Sequence, residues 1–143
     1  MKQLSVFLEN KKGSLAAITE LLNKEKIDID AMSIADTADF GILRLVVSDY
    51  KKGYEILKSN DIIVSVTEVT VATIKHEAGS LSAILEILDK ENVNIEYMYA
   101  FTSVSGTKAY AVFRFEDGKK GVETLKNNAV TLYEEEDFNK IHR

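Results

Sequence analysis

The spacing of apolar and polar residues changes period several times along the chain, and each change predicts an element. Leu4, Val6 and Leu8 alternate with Gln3, Ser5 and Phe7, which predicts a strand whose two faces are unequally apolar. From Gly13 the pattern becomes helical: Leu15, Ile18, Leu21 and Leu22 fall on one side, with Glu20, Asn23 and Lys24 on the other. IDIDAMSIA (27–35) alternates again, and FGILRLVVS (40–48) is a β-rich run after the turn DTAD. YKKGYEILKSN (50–60) predicts a short helix despite Gly53, and IIVSV (62–66) returns to strand. The second half predicts the same order: strand 69–75, helix 79–91, strands 94–102 and 107–116, helix 118–127 and strand 130–133.

The order recurs because the sequence does. GSLAAITELLN (13–23) and GSLSAILEILD (79–89) share seven of eleven residues at an offset of 66. EKIDIDAM (25–32) matches ENVNIEYM (91–98) at that offset. DYKKGYEILKSN (49–60) and DGKKGVETLKNN (117–128) share eight of twelve at 68. Two residues are therefore inserted between Met98 and Asp117, and TSVSGT (102–107) reads as the turn that holds them. Two copies follow, 1–67 and 68–143, the second with a short C-terminal tail. The βαββαβ order predicts an α+β chain of two ferredoxin-like repeats. Each has a four-stranded antiparallel sheet with both helices on one face. IIVSVTEVTVATIK (62–75) has no Gly or Pro, and fourteen extended residues would reach ~46 Å, too far for one small sheet. The last strand of one copy is thus expected to run directly into the first strand of the other, and the halves to pack as one unit. In the tail EEEDFNKIHR (134–143) the acids come first and the bases last, an order that suits either a short helix or a solvated end.

Composition narrows the function. The 143 residues are 45% hydrophobic and 29% charged, enough for a core and for solubility. The net charge of −5 argues against a nucleic-acid groove. The absence of cysteine removes disulfides, thiolate metal sites and cysteine nucleophiles. MKQLSVFLEN has too short an apolar stretch for a signal peptide, and no run approaches the ~18 residues of a membrane span, so a soluble cytoplasmic protein is expected.

The doubled junction from strand to helix is the candidate site. Glycine at Gly13 and Gly79 permits positive φ and close approach to the backbone. The first-turn N–H groups beyond it favour an anion, and no capping box fills the place, since Ala17 and Ala83 stand three residues after Ser14 and Ser80. A glycine that merely turns the chain fits the same pattern. Asn10, His76 and Glu77 lie just before the junctions. Asp28 and Asn94 hold matching positions at the next strand, where they either accept a ligand's ammonium or amide or turn the helix–strand connection.

ENKKGSLAAI with IDIDAMSI, and KHEAGSLSAI with VNIEYMYA, resemble the ACT domain family, small βαββαβ regulatory modules that bind amino acids. The resemblance covers the whole chain twice. Both copies depart from the family's Asp-x-Pro-Gly loop: Asn10 or His76 stands in the place of the acid, and Lys12 or Ala78 in that of the proline. The resemblance implies a ligand held where paired modules meet. Residue by residue, it points to Asn10, Gly13, Ser14, Leu15, Asp28 and Ile29, and to His76, Gly79, Ser80, Leu81, Asn94 and Ile95. Met32 and Met98 would help to wall the ligand's side chain. The expected ligand is an amino acid, with no cofactor and no metal.

Other classes fit less well. Phe113 and Phe115 alternate as in an RNA-stacking strand, but the first copy has Leu45 and Val47 there, and core or interface suits them better. His76 and His142 are the only histidines and neither recurs in the other copy, which gives no acid/base pair for an enzyme. The serious alternative is a protein-interaction module: a regulatory subunit of a biosynthetic enzyme or transcription factor, docking through a sheet face or edge that also suits a homodimer.

Overall fold

The computed structural model describes residues 1–36, 39–102 and 108–133. TSVSGT beyond Thr102 and the tail 134–143 lie outside the described residues. The chain divides into two compact units, Lys2–Thr67 and the residues from Glu68 onward together with Met1.

The first unit runs β1 (Lys2–Glu9), α1 (Ser14–Lys24), β2 (Ile29–Asp36), β3 (Phe40–Val47), α2 (Tyr50–Ser59) and β4 (Val64–Glu68). Its sheet has the order β2-β3-β1-β4, with β3 antiparallel to both neighbours. Leu4, Val6, Leu43, Leu45 and Val47 come from one sheet face and meet Ile18 and Leu22 of α1 and Leu57 of α2. Both helices therefore cover the same face. The second unit repeats this with β5 (Thr70–Lys75), α3 (Ser80–Lys90), β6 (Ile95–Thr102), β7 (Lys108–Phe115), α4 (Gly118–Asn127) and β8 (Leu132–Tyr133). Its order is β6-β7-β5-β8, and its core joins Ala72, Ile74, Phe113 and Phe115 to Ile84, Leu88 and Leu125. Phe113 and Phe115 are both at most 2% exposed, so they are core residues and offer no surface for stacking bases. Only Val69 separates β4 from β5, so the strand of one copy does run directly into that of the next.

Three local devices are duplicated. The α2 and α4 helices begin at Asp49 and Asp117, whose carboxylates accept from the Lys52 and Lys120 N–H groups at 3.0 Å in each case. Within those helices, a Cβ built on Gly53 would lie 2.9 Å from Leu4 Cδ1, and one on Gly121 only 2.1 Å from Phe115 Cδ2. The glycines that looked out of place in helices are what let the helices press onto their sheets. Finally, all four helices stop without glycine. Lys26, Asp61, Asn92 and Ala129 take φ of 53–58°. The N–H groups of Ile27, Ile62, Val93 and Val130 then bond back to Leu22, Leu57, Leu88 and Leu125 at 3.0, 3.1, 2.9 and 3.0 Å, a Schellman closure. These closures consume Ile62 and Val130, which is why β4 and β8 begin two residues later than the apolar runs suggest. The alternation expected in β2 is also interrupted. A register shift between Ile29 and Ala31 lets Ile29, Met32 and Ile34 pair with Val47, Leu45 and Leu43, and the same shift recurs between Ile95 and Tyr97.

Candidate functional site

Each glycine junction has the geometry that an exposed helix start requires. Gly13 and Gly79 both have φ of 89°, with ψ of −12° and −18°, and no side chain caps either helix. Open space surrounds both, for a Cβ at either position would meet nothing within 4 Å. Only left-handed backbone makes glycine the natural residue here. The turn is held by Ser14 N–H to Lys11 O and Ser80 N–H to Glu77 O, each 3.3 Å, and by Ala17 and Ala83 N–H groups bonded at 3.0 Å to the glycine carbonyls. The N–H groups that follow in the first turn point out of the helix start, toward any anion seated there.

A groove borders each junction, and the two differ. The first, about 340 Å³, is lined by Ser14, Ala17, Phe7, Phe40, Lys11 and Ile63 among others. Phe7 and Phe40 stack at 5.0 Å between centroids. Lys11 lies 2.6 Å from Glu9, and this hydrogen bond, followed by the lysine's charge, lowers the Glu9 carboxyl below its ordinary value. The second groove, about 250 Å³, is lined by His76, Glu77, Leu81, Phe101 and Thr102. Sequence reasoning had missed Phe7 and Phe40. The available signal was Phe7 itself, a large apolar residue in phase with Gln3 and Ser5.

The expected site residues are not all brought together. Asn10 lies at the first junction, with its N–H bonded to Asp39 O at 3.1 Å. Leu15 and Leu81 are half-buried against their respective cores, as are Ile29 and Ile95. Asp28 and Asn94 sit beyond the opposite end of the following helix, and eleven residues at ~1.5 Å each put about 16 Å between helix ends. There they tie strands together. Asp28 and Ser48 exchange two hydrogen bonds of 3.0 Å through the Asp28 backbone. Asn94 Nδ2 donates to Glu116 Oε2 at 3.0 Å, and the Glu116 N–H donates to Asn94 O at 3.1 Å. Within one unit, then, Gly13 and Asp28 do not share a pocket, nor do Gly79 and Asn94. Met32 is 44% exposed, while Met98 packs on the second core.

Among the described residues no group of three His, Asp or Glu side chains is placed to hold a metal, and no helix is long and apolar enough to cross a membrane.

Two βαββαβ units, each with an uncapped glycine start to its first helix, define a tandem of small ferredoxin-like modules. The model of the ACT domain pair matches residues 1–142, and the chain belongs to that family. Among solved structures it is similar to a protein from Bacteroides thetaiotaomicron, with 45% identity, a TM-score of 0.88, and coverage of 92% of this chain and 90% of that one. The regulatory subunit of aspartate kinase from Thermus thermophilus, in its ligand-free form, shares the fold with a TM-score of 0.63 and 13% identity, covering 88% and 91% of the two chains. Aspartate kinase from Synechocystis does so with a TM-score of 0.58 and 22% identity, over 93% of this chain and 26% of that one. A search of curated proteins gives no match.

Proposed function

We propose that this ACT domain pair is a regulatory protein, without chemistry of its own, that binds an amino acid at its glycine junctions. The observation that carries the reading is the pair of helix starts at Gly13 and Gly79, left-handed, uncapped and open. The first-turn N–H groups suit the ligand's carboxylate. Asp28 and Asn94 lie at the far ends of their own helices, so within each unit the acid nearest the junction in sequence for the ammonium is Glu9 or Glu77, which line the two grooves. The grooves differ in charge and aromatic content, so the two sites are expected to differ in affinity. The regulated partner would be an enzyme, as for the aspartate kinase subunits that share the fold.

A thermal-shift series over the twenty amino acids tests this. One ligand at ~100 times its Kd should add about 2.7 kcal/mol to the folded state and raise Tm accordingly. Gly13→Val and Gly79→Val should each weaken one of two binding events. No shift with any amino acid at millimolar concentration would overturn the proposal. That result would favour the second reading, a protein-docking module, for which the exposed Phe7, Phe40, Ile42 and Ile63 of the first unit speak.

A further inference from the structure

The two copies fill the space between the second helix and the sheet differently. In the first, Tyr50 and Tyr54 pack against the core, and Lys58 Nζ lies 5.3 Å from the centre of the Tyr54 ring. At the offset of 68 these positions become Gly118, Val122 and Lys126. Two phenol rings are thus absent from the second copy, and a cavity of about 280 Å³ stands there, bordered by all three replacements and by Arg114, Leu132 and Tyr133. At ~30 Å³ per water it has the volume of about nine waters, the size of a small metabolite.

Its wall also differs in charge. Arg114 takes the place of Val46, a residue only 2% exposed in the first copy. It is held by two contacts, Nε to Glu96 Oε2 and Nη1 to the Glu68 carbonyl, each 3.0 Å. A guanidinium has five N–H donors, so others remain for a ligand. Lys126, having no ring beneath it, makes no ion pair among the described residues. Among the described residues of the wall Glu68 is acidic and Arg114 and Lys126 are cations, Arg114 being ion-paired with Glu96. Val122, Leu132 and Tyr133 supply apolar surface.

We propose that this cavity is a second, separate binding site that takes a small organic anion, its carboxylate on Lys126 and Arg114 and its apolar or aromatic body against Val122, Leu132 and Tyr133. It shares no lining residue with the groove at either glycine junction and does not depend on the function proposed for them. On the α4 side its space lies where the first copy packs Tyr50 and Tyr54, replaced here by Gly118 and Val122.

Benzoate, titrated into the full isotope-labelled chain and followed by NMR, is the probe. The signals of Val71, Val122 and Leu132 should shift saturably at low millimolar concentration, and inorganic phosphate, which lacks the apolar body, should not shift them. Val122→Tyr restores the residue of the first copy and should weaken benzoate at least ~10-fold, about 1.4 kcal/mol. Lys126→Gln, an exposed position, should weaken it several-fold with the fold intact. Absence of saturable shifts up to ~50 mM, well above the low-millimolar range expected, would overturn the proposal. So would unchanged affinity in Lys126→Gln, or shifts confined to residues near Gly13 and Gly79.

Discussion

On the sheet face turned away from the helices, the two copies have little in common. In the first copy Ser33, Arg44 and Ser5 lie side by side across three strands, and in the second the same places hold Tyr99, Val112 and Val71. One row along, Phe7 and Ile42 of the first copy are 45% and 41% exposed. The matching Tyr110 of the second is 6% exposed, stacked on Phe101 at 5.1 Å and edge-on to Tyr133 at 5.0 Å. On the helix side the copies share their backbone devices: the aspartate caps, the left-handed helix stops, the glycines under α2 and α4. Lys52 and Lys120 each donate to a carbonyl past the end of the first helix of their copy, Glu25 at 2.9 Å and Asn92 at 3.0 Å, one repeat position apart. The difference shows which features the fold demands. Backbone turns and close helix–sheet contacts admit few residues, whereas an outward face is free to become polar, aromatic or greasy as its use requires.

The comparison breaks most visibly at the paired glycines. Gly121→Ala should destabilise by about 2 kcal/mol, an overpacking cost of up to ~3 reduced by the ~1 kcal/mol that alanine gains in a helix. The reason is that its methyl would strike the Phe115 ring, which is itself stacked on Phe113 at 5.4 Å. Gly53→Ala should cost less than Gly121→Ala, because the atom met is the terminal methyl of Leu4 at 2.9 Å rather than a ring at 2.1 Å. Thermal unfolding of both variants checks this, and equal losses would mean that the helices of the two copies press equally hard. A smaller effect separates the helix stops. Ala129, at φ 56°, bears the left-handed penalty with nothing to offset it, while Asp61 at φ 58° is of a type that tolerates that region. Ala129→Gly should therefore stabilise by about 0.5–1 kcal/mol and Asp61→Gly by less.

The smallest effect is electrostatic. Glu9 has its pKa lowered by Lys11, so its contribution is present above the ordinary carboxylate range and is lost as pH falls through the lowered folded-state value. Lys11→Met should return the Glu9 titration to the ordinary range, as read by NMR. In the second copy the pair is reversed and looser, with Lys75 in the place of Glu9 and Glu77 in that of Lys11, 3.8 Å apart.

The order of elements and the duplication were legible because both depend on periodicity and repetition, which a sequence shows directly. The helix stops were not, since the usual mark of a left-handed residue is glycine and here Lys26, Asp61, Asn92 and Ala129 do the turning. The strand bulges at Asp30 and Glu96 were hidden for a related reason: an extra residue in a strand has no compositional mark. At the candidate site, the conformation of Gly13 and Gly79 could be anticipated from residue type and position. The separation of Asp28 from Gly13 could be seen only when α1 was recognised as a rod standing between them. The cavity beside Val122 was written in the sequence as mismatches within an otherwise faithful repeat. Its meaning appeared once the fold showed that the mismatched side chains were the ones filling space.

The single residue between β4 and β5 has a practical consequence for anyone wishing to dissect the molecule. Val69 is 5% exposed, and its N–H is bonded to the Met1 carbonyl at 3.0 Å. Proteases cut where chain is loose and accessible, and this joint is neither. Limited digestion should leave the Val69 joint uncut.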